Sequence, residues 1–396
     1  MSAGSVNNVL LANIASVDGI AKSNIASIAG VPIPAAANPD FVATWSVASD
    51  GDTITLPLMS GGTYSGTIDW GDASSSSLSY ANRTHTFATA GTYTITLSGT
   101  IEGFRFNNGG DKTKFLDVSN WGNLTITSTR TFFGCINFTI SATDAPIVTS
   151  TNFEYCFYNC HALGTPDLSG WDVSSVTNLS HCFRANNLNP IITGWIHSGV
   201  TNVARMFQGN SAWNRSLDGQ DFSGVTYAYE FMRGCTGFNS SVANLSFGTN
   251  ANLYGMIQAC TNFIGTGLDS WDTSNVQSFN RLLTSCINMN ADISGWDTSN
   301  GTDFDYTLYN CDAFRGALAG WDINQATSLT NFMNTATGTT TANYDALLIA
   351  WDAQGAMSFS GTVNFGGSKY TSGGAAEAAR TSLITKWGGI TDGGAA

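Results

Sequence analysis

The sequence predicts a mainly β protein whose larger part is a solenoid of parallel strands. Apolar residues recur every 24 to 26 residues from about residue 115 onward, which is the mark of stacked structural repeats. Alternating polar and apolar residues near residue 95 predict a separate, half-buried strand. Only 11% of the 396 residues are charged, while glycine alone contributes 43 residues. This composition is typical of extended β-proteins displayed outside a cell or on a virion.

Residues 1–40 are predicted to form an N-terminal anchor and linker. The motif NIASVDGIA (13–21) recurs as NIASIAGVP (24–32), an 11-residue repeat that is too short to bury its own apolar residues. We therefore expect residues 1–36 to bind a partner surface, with a loosely ordered leader as the alternative. The segment is similar to short repeats that begin structural proteins of marine bacteriophages, which implies other virion proteins as partners. The predicted anchor residues are Ile14, Val17, Ile20, Ile25, Ile28 and Val31.

The first 30 residues contain no basic stretch, and Asp18 and Lys22 interrupt their apolar residues. We therefore expect neither a signal peptide nor a membrane span. Without export, the eight cysteines are expected to be reduced thiols.

Residues 41–103 are predicted to form a β-sandwich. The alternating GTYTITL (91–97), together with WGD (70–72) and HTF (85–87), resembles the PKD domain. This resemblance implies an Ig-like fold that serves as a spacer in surface proteins. Asp69 and Asp72 are candidates for a cation site, and capping of their own turns is the alternative.

Residues 104–340 are organised by the 25-residue repeat. Each repeat contains one aromatic or aliphatic residue, the anchor of that repeat, and a cysteine or polar residue three positions later. Units of this size cannot bury an apolar face alone, so they are expected to stack and to align like residues into ladders. The predicted anchors are Phe132, Phe157, Phe183, Phe207, Met232, Ile257, Leu283, Leu308 and Phe332. The positions three residues later are Cys135, Cys160, Asn186, Asn210, Cys235, Cys260, Cys286, Cys311 and Thr335.

A tryptophan column lies about twelve residues before the anchors. In two repeats, Gln220 and Leu245 stand in place of the tryptophan, and a phenylalanine follows two residues later, at Phe222 and Phe247. The pattern W-D-x-S-x-V followed by F-x-x-C-x-x-F resembles the BspA-type leucine-rich-repeat surface proteins of bacteria and phages. That resemblance implies a leucine-rich-repeat-like solenoid with an adhesive role. The remaining members of the column are Trp171, Trp195, Trp271, Trp296 and Trp321.

Residues 341–396 are predicted to form a small helical cap. Tyr344, Leu347, Leu348 and Trp351 are spaced for one face of a helix, and residues 375–387 predict a second helix. A stack of repeats exposes an apolar cross-section at its end, so a terminal cap is physically required.

Catalytic and metal-binding motifs are absent from the sequence, so we expect no enzyme and no cofactor. Cys160 adjoins His161, and Cys182 adjoins His181, so a nucleophilic thiol beside an imidazole is one interpretation. Adjacent residues usually point apart and six of the eight cysteines share one repeat column, so a core ladder of cysteines is expected instead. A disulfide between Cys156 and Cys182 stays open. A net charge of −13 argues against a nucleic-acid partner.

One acidic stripe is the candidate metal site. Asp272, Asp297 and Asp322 follow tryptophans in consecutive repeats and are expected on the solvent face of a parallel sheet. Like charges at the same position of adjacent strands repel each other, so a bound cation or polyhydroxyl ligand between the aspartates is one interpretation. The alternative is that each carboxylate caps its own following turn.

These features together predict a non-enzymatic virion surface protein, either a tail fibre or a capsid decoration, that displays its repeats for adhesion or host recognition. It is expected to assemble in the host cytoplasm and to bind other virion proteins through residues 1–36. A host-surface glycan or protein is the candidate ligand, and whether the chain forms a homo-oligomer stays open. The alternative is an extracellular, BspA-type bacterial adhesin that binds host matrix or glycans.

Overall fold

A computed structural model describes residues 40–396 except 186, 335–336 and 355–359, together with four short strands before residue 40. The chain divides into two compact units, residues 1–39 and 40–396. In the first unit, two antiparallel strand pairs follow each other at the 11-residue period. They are formed by β1 (Ser16–Val17) with β2 (Ile20–Ala21), and by β3 (Ser27–Ile28) with β4 (Val31–Pro32).

The second unit is mainly β with two α-helices among its described residues, as the sequence predicts. Its first strands are β5 (Phe41–Val47), β6 (Thr53–Thr55), β7 (Leu58–Asp69), β8 (Ser75–Ser77), β9 (Thr84–Thr86) and β10 (Gly91–Phe104). The repeats contain β11 (Phe115–Asn120), β12 (Leu124–Ile126), β13 (Thr139–Ile140), β14 (Ile147–Val148), β15 (Ala251–Asn252) and β16 (Val276–Ser278). The C-terminal part contains α1 (Thr341–Asp352), β17 (Gly361–Asn364), α2 (Ala375–Trp387) and β18 (Gly388–Thr391).

One sheet links the N-terminal strands of this unit to the repeats. Its order is β13-β11-β5-β10-β12-β14, with β7 and β8 paired beside β10. The pairs β5–β10 and β7–β10 are antiparallel, whereas β10–β12 and β12–β14 are parallel. Of the two pairs that cross the predicted boundary near residue 103, β5–β11 is antiparallel and β10–β12 is parallel, so one sheet includes strands from both sides. Every second residue of β5 is buried, and the four buried ones, Phe41, Ala43, Trp45 and Val47, are all apolar.

Backbone hydrogen bonds join each repeat to the next in one register. The N–H groups of the anchor and of the residues two positions before and after it donate to carbonyls of the following repeat. Phe157 N, for example, donates to Cys182 O at 2.9 Å. The intervening N–H groups close turns within their own repeat, as Tyr158 N does on Tyr155 O at 3.2 Å. Nearly every N–H of this segment therefore has a partner although the segment is not a regular strand.

A column of mostly polar residues, five positions before the anchors, forms the parallel bridges between repeats. Six of its eight side chains accept a hydrogen bond from the backbone two residues later, as Asn178 Oδ1 does from Ser180 N at 2.9 Å. This local cap fixes the direction in which the chain enters the anchor segment. The bridged column is Asn152, Asn178, Asn202, Tyr227, Asn252, Ser278, Asp303 and Ser328.

The last predicted anchor, Phe332, is wrong by one residue. Every earlier anchor donates to the carbonyl just before the next anchor, and Leu308 N donates to Phe332 O at 2.9 Å. Met333 is therefore the equivalent position, and it lies twelve residues after Trp321. Met333 N donates in turn to Asn364 O at 2.9 Å, so β17 takes the place of a further repeat.

The cysteine column is a buried ladder, as predicted. All eight cysteines are buried and unbonded, so Cys156 and Cys182 form no disulfide here. Cys260 Sγ lies 3.3 Å from Met232 O, the anchor carbonyl of the preceding repeat. Burial raises the pKa of the Cys286 thiol to about 12, which keeps it protonated and able to donate. The thiols that contact a preceding anchor carbonyl in this way are Cys160, Cys235, Cys260, Cys286 and Cys311.

The tryptophan column follows the same principle, and it explains the departure at Gln220. Trp296 Nε1 donates to Leu268 O of the preceding repeat at 2.7 Å. Gln220 Nε2 donates in the same way to Ile192 O at 3.1 Å, and its Oε1 accepts from Ile196 N at 3.0 Å. The amide therefore replaces the indole N–H as the donor to the neighbouring repeat.

The C-terminal helices form the predicted cap on the last repeat. Helix α1 begins at the side chain of Thr340, which accepts from Asn343 N. The ring of Trp351 lies 5.7 Å from that of Phe332, and Trp387 of α2 lies 6.3 Å from Trp351. The apolar end of the stack is thus covered. The buried face of α1 is Tyr344, Leu347, Leu348 and Trp351, as its spacing predicts.

Replacing Gln220 by leucine is expected to destabilise the protein by about 1–3 kcal/mol, because the buried N–H of Ile196 loses its acceptor. Chemical denaturation monitored by tryptophan fluorescence measures this change. The matched control is Gln277→Leu at an exposed position, for which we expect a change within about 0.5 kcal/mol. Equal effects of the two variants would contradict the role assigned to Gln220.

Candidate ligand-binding surface

Each aspartate of the predicted acidic stripe accepts hydrogen bonds from its own turn. Oδ1 of Asp272 and of Asp297 accepts from the backbone N–H two residues later at 3.1 and 3.0 Å, and Asp322 does so at 2.8 Å. The hydroxyl and N–H of Ser299 lower the pKa of Asp297. Asp297 and Asp322 lie outside the strands, because this turn replaces the extended backbone expected there. Within the described residues, no three His, Cys, Asp or Glu side chains are grouped to hold a metal ion.

The other acidic pair, Asp69 and Asp72, also caps turns. Asp69 Oδ1 accepts from Gly71 N at 2.9 Å, and Asp72 Oδ1 accepts from Ser74 N at 3.0 Å. Asp72 also lies 2.7 Å from His85 Nε2. Desolvation alone would raise the pKa of Asp72, but the hydrogen bonds from Ser74 and His85 outweigh it and lower the value to about 2.

The predicted N-terminal anchor residues are only partly within the described chain. Val17, Ile20, Ile28 and Val31 lie in β1–β4, whereas Ile14 and Ile25 lie outside the described residues. Their role in attachment therefore stays a prediction.

A groove of about 550 Å³ lies between residues 142–145 and 167–171. Its carboxylates are already engaged, since Asp144 accepts from the N–H groups of Trp121 and Gly122, and Asp167 accepts from Ser169. The groove therefore offers few unpaired polar groups to a ligand.

Two columns of left-handed backbone run through the repeats, and their compositions are opposite. Two residues after the anchor, φ lies between +55° and +82°, and the residues there are small or asparagine, as this conformation favours. Two residues before the anchor, φ lies between +48° and +60°, yet large side chains predominate. The first column is Gly134, Asn159, Ala185, Gly209, Gly234, Ala259, Ser285 and Asn310. The second column is Arg130, Tyr155, His181, Arg205, Glu230, Gly255, Arg281, Tyr306 and Asn331.

Large side chains in a left-handed backbone cost about 1–2 kcal/mol each compared with glycine. Packing in the core does not explain them, because most members of the second column are partly exposed. Strain of this kind is typical of functional surfaces. The column therefore marks one side of the repeats as a candidate site.

We call this surface the arginine–tyrosine face. It combines the second left-handed column with residues one position after, or three positions before, the anchors. It holds five of the ten arginines and six of the twelve tyrosines of the chain. Its principal members are Arg130, Phe133, Glu154, Tyr155, Tyr158, His181, Arg184, Arg205, Gln208, Tyr229, Glu230, Arg233, Tyr254, Gln258, Arg281, Asp305, Tyr306 and Tyr309.

Stacked rings connect the first repeats of the face. The guanidinium of Arg130 lies 5.1 Å from the centre of the Tyr155 ring. The Tyr155 ring stacks on His181 at 4.4 Å with an angle of 14° between the planes. Arg184 Nη1 lies 3.3 Å from His181 Nδ1, and its guanidinium lies 5.8 Å from the ring of Tyr158.

The later repeats continue the same pattern. The guanidinium of Arg205 lies 4.5 Å from the Tyr229 ring, and Tyr229 stacks on Tyr254 at 5.0 Å. The guanidinium of Arg281 lies 5.9 Å from the Tyr254 ring and 4.2 Å from the Tyr306 ring. Aromatic rings therefore hold the cations in fixed orientations along the face.

Glu230 is the buried acid of the face, and two arginines neutralise it. Arg205 Nε and Arg233 Nη1 donate to its carboxylate at 2.7 and 2.6 Å. Desolvation alone would raise the pKa of Glu230, but these ion pairs outweigh it and lower the value. Arg130, Arg184 and Arg281, by contrast, form no ion pair with a described residue.

Two donors of the face have no hydrogen-bond partner among the described residues. They are the Nε groups of Arg130 and Arg281, and both atoms are shielded from solvent. A buried donor without a partner costs about 1–3 kcal/mol. Because both Nε atoms are shielded, an external acceptor would have to bind the outer nitrogens of these guanidiniums.

The sequence contains a signal for this face that the apolar period conceals. Arginine or tyrosine stands two residues before the anchor in five of nine repeats, the five being Arg130, Tyr155, Arg205, Arg281 and Tyr306. Aligning the repeats on the anchors shows this polar column, but only the backbone conformation shows that it is unfavourable for large residues.

Residues 151–266 and 249–347 match the family described as "Mycoplasma protein of unknown function, DUF285". The repeat region is similar to this family. The two DUF285 matches overlap and together span just under half of the chain, from the second anchor repeat into α1. No curated protein and no solved structure matches the chain. None of the described helices has the length and apolar character needed to cross a membrane.

The stability of the protein is expected to fall as the pH decreases from about 6.5 to 4, in part because of His181. Burial, followed by the charges of Arg184 and Arg205, lowers the pKa of His181 from 6.5 to about 4. In that range the unfolded chain binds a proton that the folded chain does not, which favours unfolding by on the order of 1–2 kcal/mol. The variant His181→Phe retains a ring against Tyr155 and should lose this part of the pH dependence.

Denaturation of both proteins at pH 7 and pH 4.5 provides the measurement. The difference in unfolding free energy between the two pH values should be smaller for the variant. Identical pH dependence in the two proteins would show that His181 binds its proton normally in the folded state.

Proposed function

We propose that the chain is a non-enzymatic surface protein that adheres to its target through the arginine–tyrosine face. The contrast between the two left-handed columns supports this most directly. The same backbone conformation carries small residues on one side of the anchor and arginine, tyrosine, histidine and glutamate on the other. Binding of a ligand accounts for side chains that the local backbone disfavours.

The architecture that we propose is a leucine-rich-repeat-like solenoid preceded by an Ig-like, PKD-type spacer. The one-repeat register of the hydrogen bonds and the continuous bridged column support the solenoid. The antiparallel order of β5, β10, β7 and β8, with β6 and β9 paired separately, supports the spacer. Such an arrangement holds a long face clear of the surface that carries it.

We place the protein on a virion, as a tail fibre or a capsid decoration, with residues 1–36 attached to other virion proteins. The 11-residue repeat and its two short strand pairs support a separate attachment unit. An extracellular bacterial adhesin is the alternative, and the same face would then bind the host. Electron microscopy with an antibody against the repeats would show whether the protein is located on virions or on a bacterial cell surface.

A chain that begins at Asp40 is expected to fold normally and to fail to join the particle. The reason is that residues 40–396 form their own compact unit, whereas the attachment unit is removed. Thermal unfolding of the shortened chain and its amount on purified particles are the two measurements. Incorporation equal to that of the full chain would move the attachment point elsewhere in the protein.

The double variant Arg130→Gly, Arg281→Gly should lose adhesion without loss of stability. Glycine adopts the φ values of +60° and +55° at these positions without strain, which offsets the lost contacts between arginine and tyrosine rings. The free energy of unfolding should therefore change by no more than about 1 kcal/mol. The matched control is Ala185→Gly, Ala259→Gly in the other left-handed column.

Retention of the labelled full chain on host cells, counted by flow cytometry, compares the three proteins. The control should bind like the parent protein, and the arginine variant should bind weakly. Equal retention of all three would remove the arginine–tyrosine face as the adhesive surface.

A further inference from the structure

We infer that the arginine–tyrosine face binds an acidic polysaccharide whose sugars carry carboxylates. This inference rests on the proposed adhesive function and names its ligand. The observations behind it are the unpaired guanidiniums, the rings that hold them and the repetition of both along the chain.

The charge of the face is the first observation. The chain has a net charge of −13, yet this one side carries five of its ten arginines against three acids, Glu154, Glu230 and Asp305. Arg130, Arg184 and Arg281 have no ion pair among the described residues. A guanidinium presents paired donors that match a carboxylate, so a carboxylate ligand would satisfy these groups.

The aromatic rings are the second observation. Tyr155 and Tyr306 lie 5.1 and 4.2 Å from the guanidiniums of Arg130 and Arg281. Each ring fixes its cation while keeping apolar surface beside it. A sugar acid has both complementary parts, a carboxylate for the arginine and an apolar ring face for the tyrosine. An inorganic anion would use only the first.

The length of the face is the third observation, and it favours a polymer. Eight repeats at a strand spacing of about 4.8 Å give the face a length on the order of 34 Å. The backbone N–H groups beside it are consumed between repeats, as Phe157 N is by Cys182 O, so a peptide cannot add as a further strand here. A nucleic-acid duplex carries about one charge per 1.7 Å, so the surrounding acidic chain would repel it more strongly than a polymer with one carboxylate per sugar.

Binding of the full-length protein to alginate, a polymer of sugar acids, tests the inference by calorimetry at low and moderate salt. Neutral dextran of similar length is the control for sugar rings without charge. Polyaspartate and oligothymidylate represent an acidic peptide and a nucleic acid. We expect binding to alginate that weakens with salt, and no binding to dextran. Loss of Arg130 and Arg281 together should weaken binding at least tenfold, whereas Ala185→Gly, Ala259→Gly should leave it unchanged.

Several outcomes would overturn the inference. These are no binding to alginate, equal binding by the arginine variant, and tighter binding to polyaspartate or oligothymidylate. If cells still retain the parent protein while alginate does not bind, the ligand class is wrong and the adhesive function stands. If cells do not retain the parent protein either, the proposed function fails with it.

Discussion

The hydrogen bonds between consecutive repeats are the constraint on which the rest of the protein depends. Alternate N–H groups around each anchor donate to the next repeat, and the groups between them close turns in their own repeat. This division gives partners to polar backbone that would otherwise be costly to bury. It also requires left-handed backbone on both sides of the anchor. The register between repeats, the buried ladders and the exposed columns all follow from this one pattern.

Some carbonyl groups of the core accept two hydrogen bonds, one from the backbone of their own turn and one from a side chain of the next repeat. This double acceptance explains why the ladders contain cysteine and tryptophan. The carbonyl of Ile257 accepts from the N–H of Cys260 in its own turn and contacts the thiol of Cys286 in the next repeat. The carbonyl of Leu268 is shared in the same way by Trp271 N and Trp296 Nε1. A weak donor on an otherwise apolar side chain suits such a site, since it packs like a hydrophobic residue and still supplies a hydrogen bond.

Periodicity predicted the mainly β class, the buried cysteine ladder and the two C-terminal helices, because apolar side chains respond directly to burial. It failed at Phe332, where two adjacent apolar residues both fit the spacing and only the hydrogen-bond register selects Met333. It also missed the arginine–tyrosine face, because exposed polar residues carry no apolar period. In the acidic stripe, a turn cap competes with an extended strand, and the spacing of the aspartates is the same in both cases.

Both ends of the repeat array are covered by other parts of the same unit. β5 and β10 pair with the first repeat strands β11 and β12, while β17 and α1 cover the last repeat. Open strand edges recruit further chains, so covering them prevents one molecule from extending another. The length of the array is therefore determined by the number of repeats that the sequence encodes between its two covered ends. Duplicating one repeat would lengthen the exposed face by one strand spacing and leave both ends unchanged.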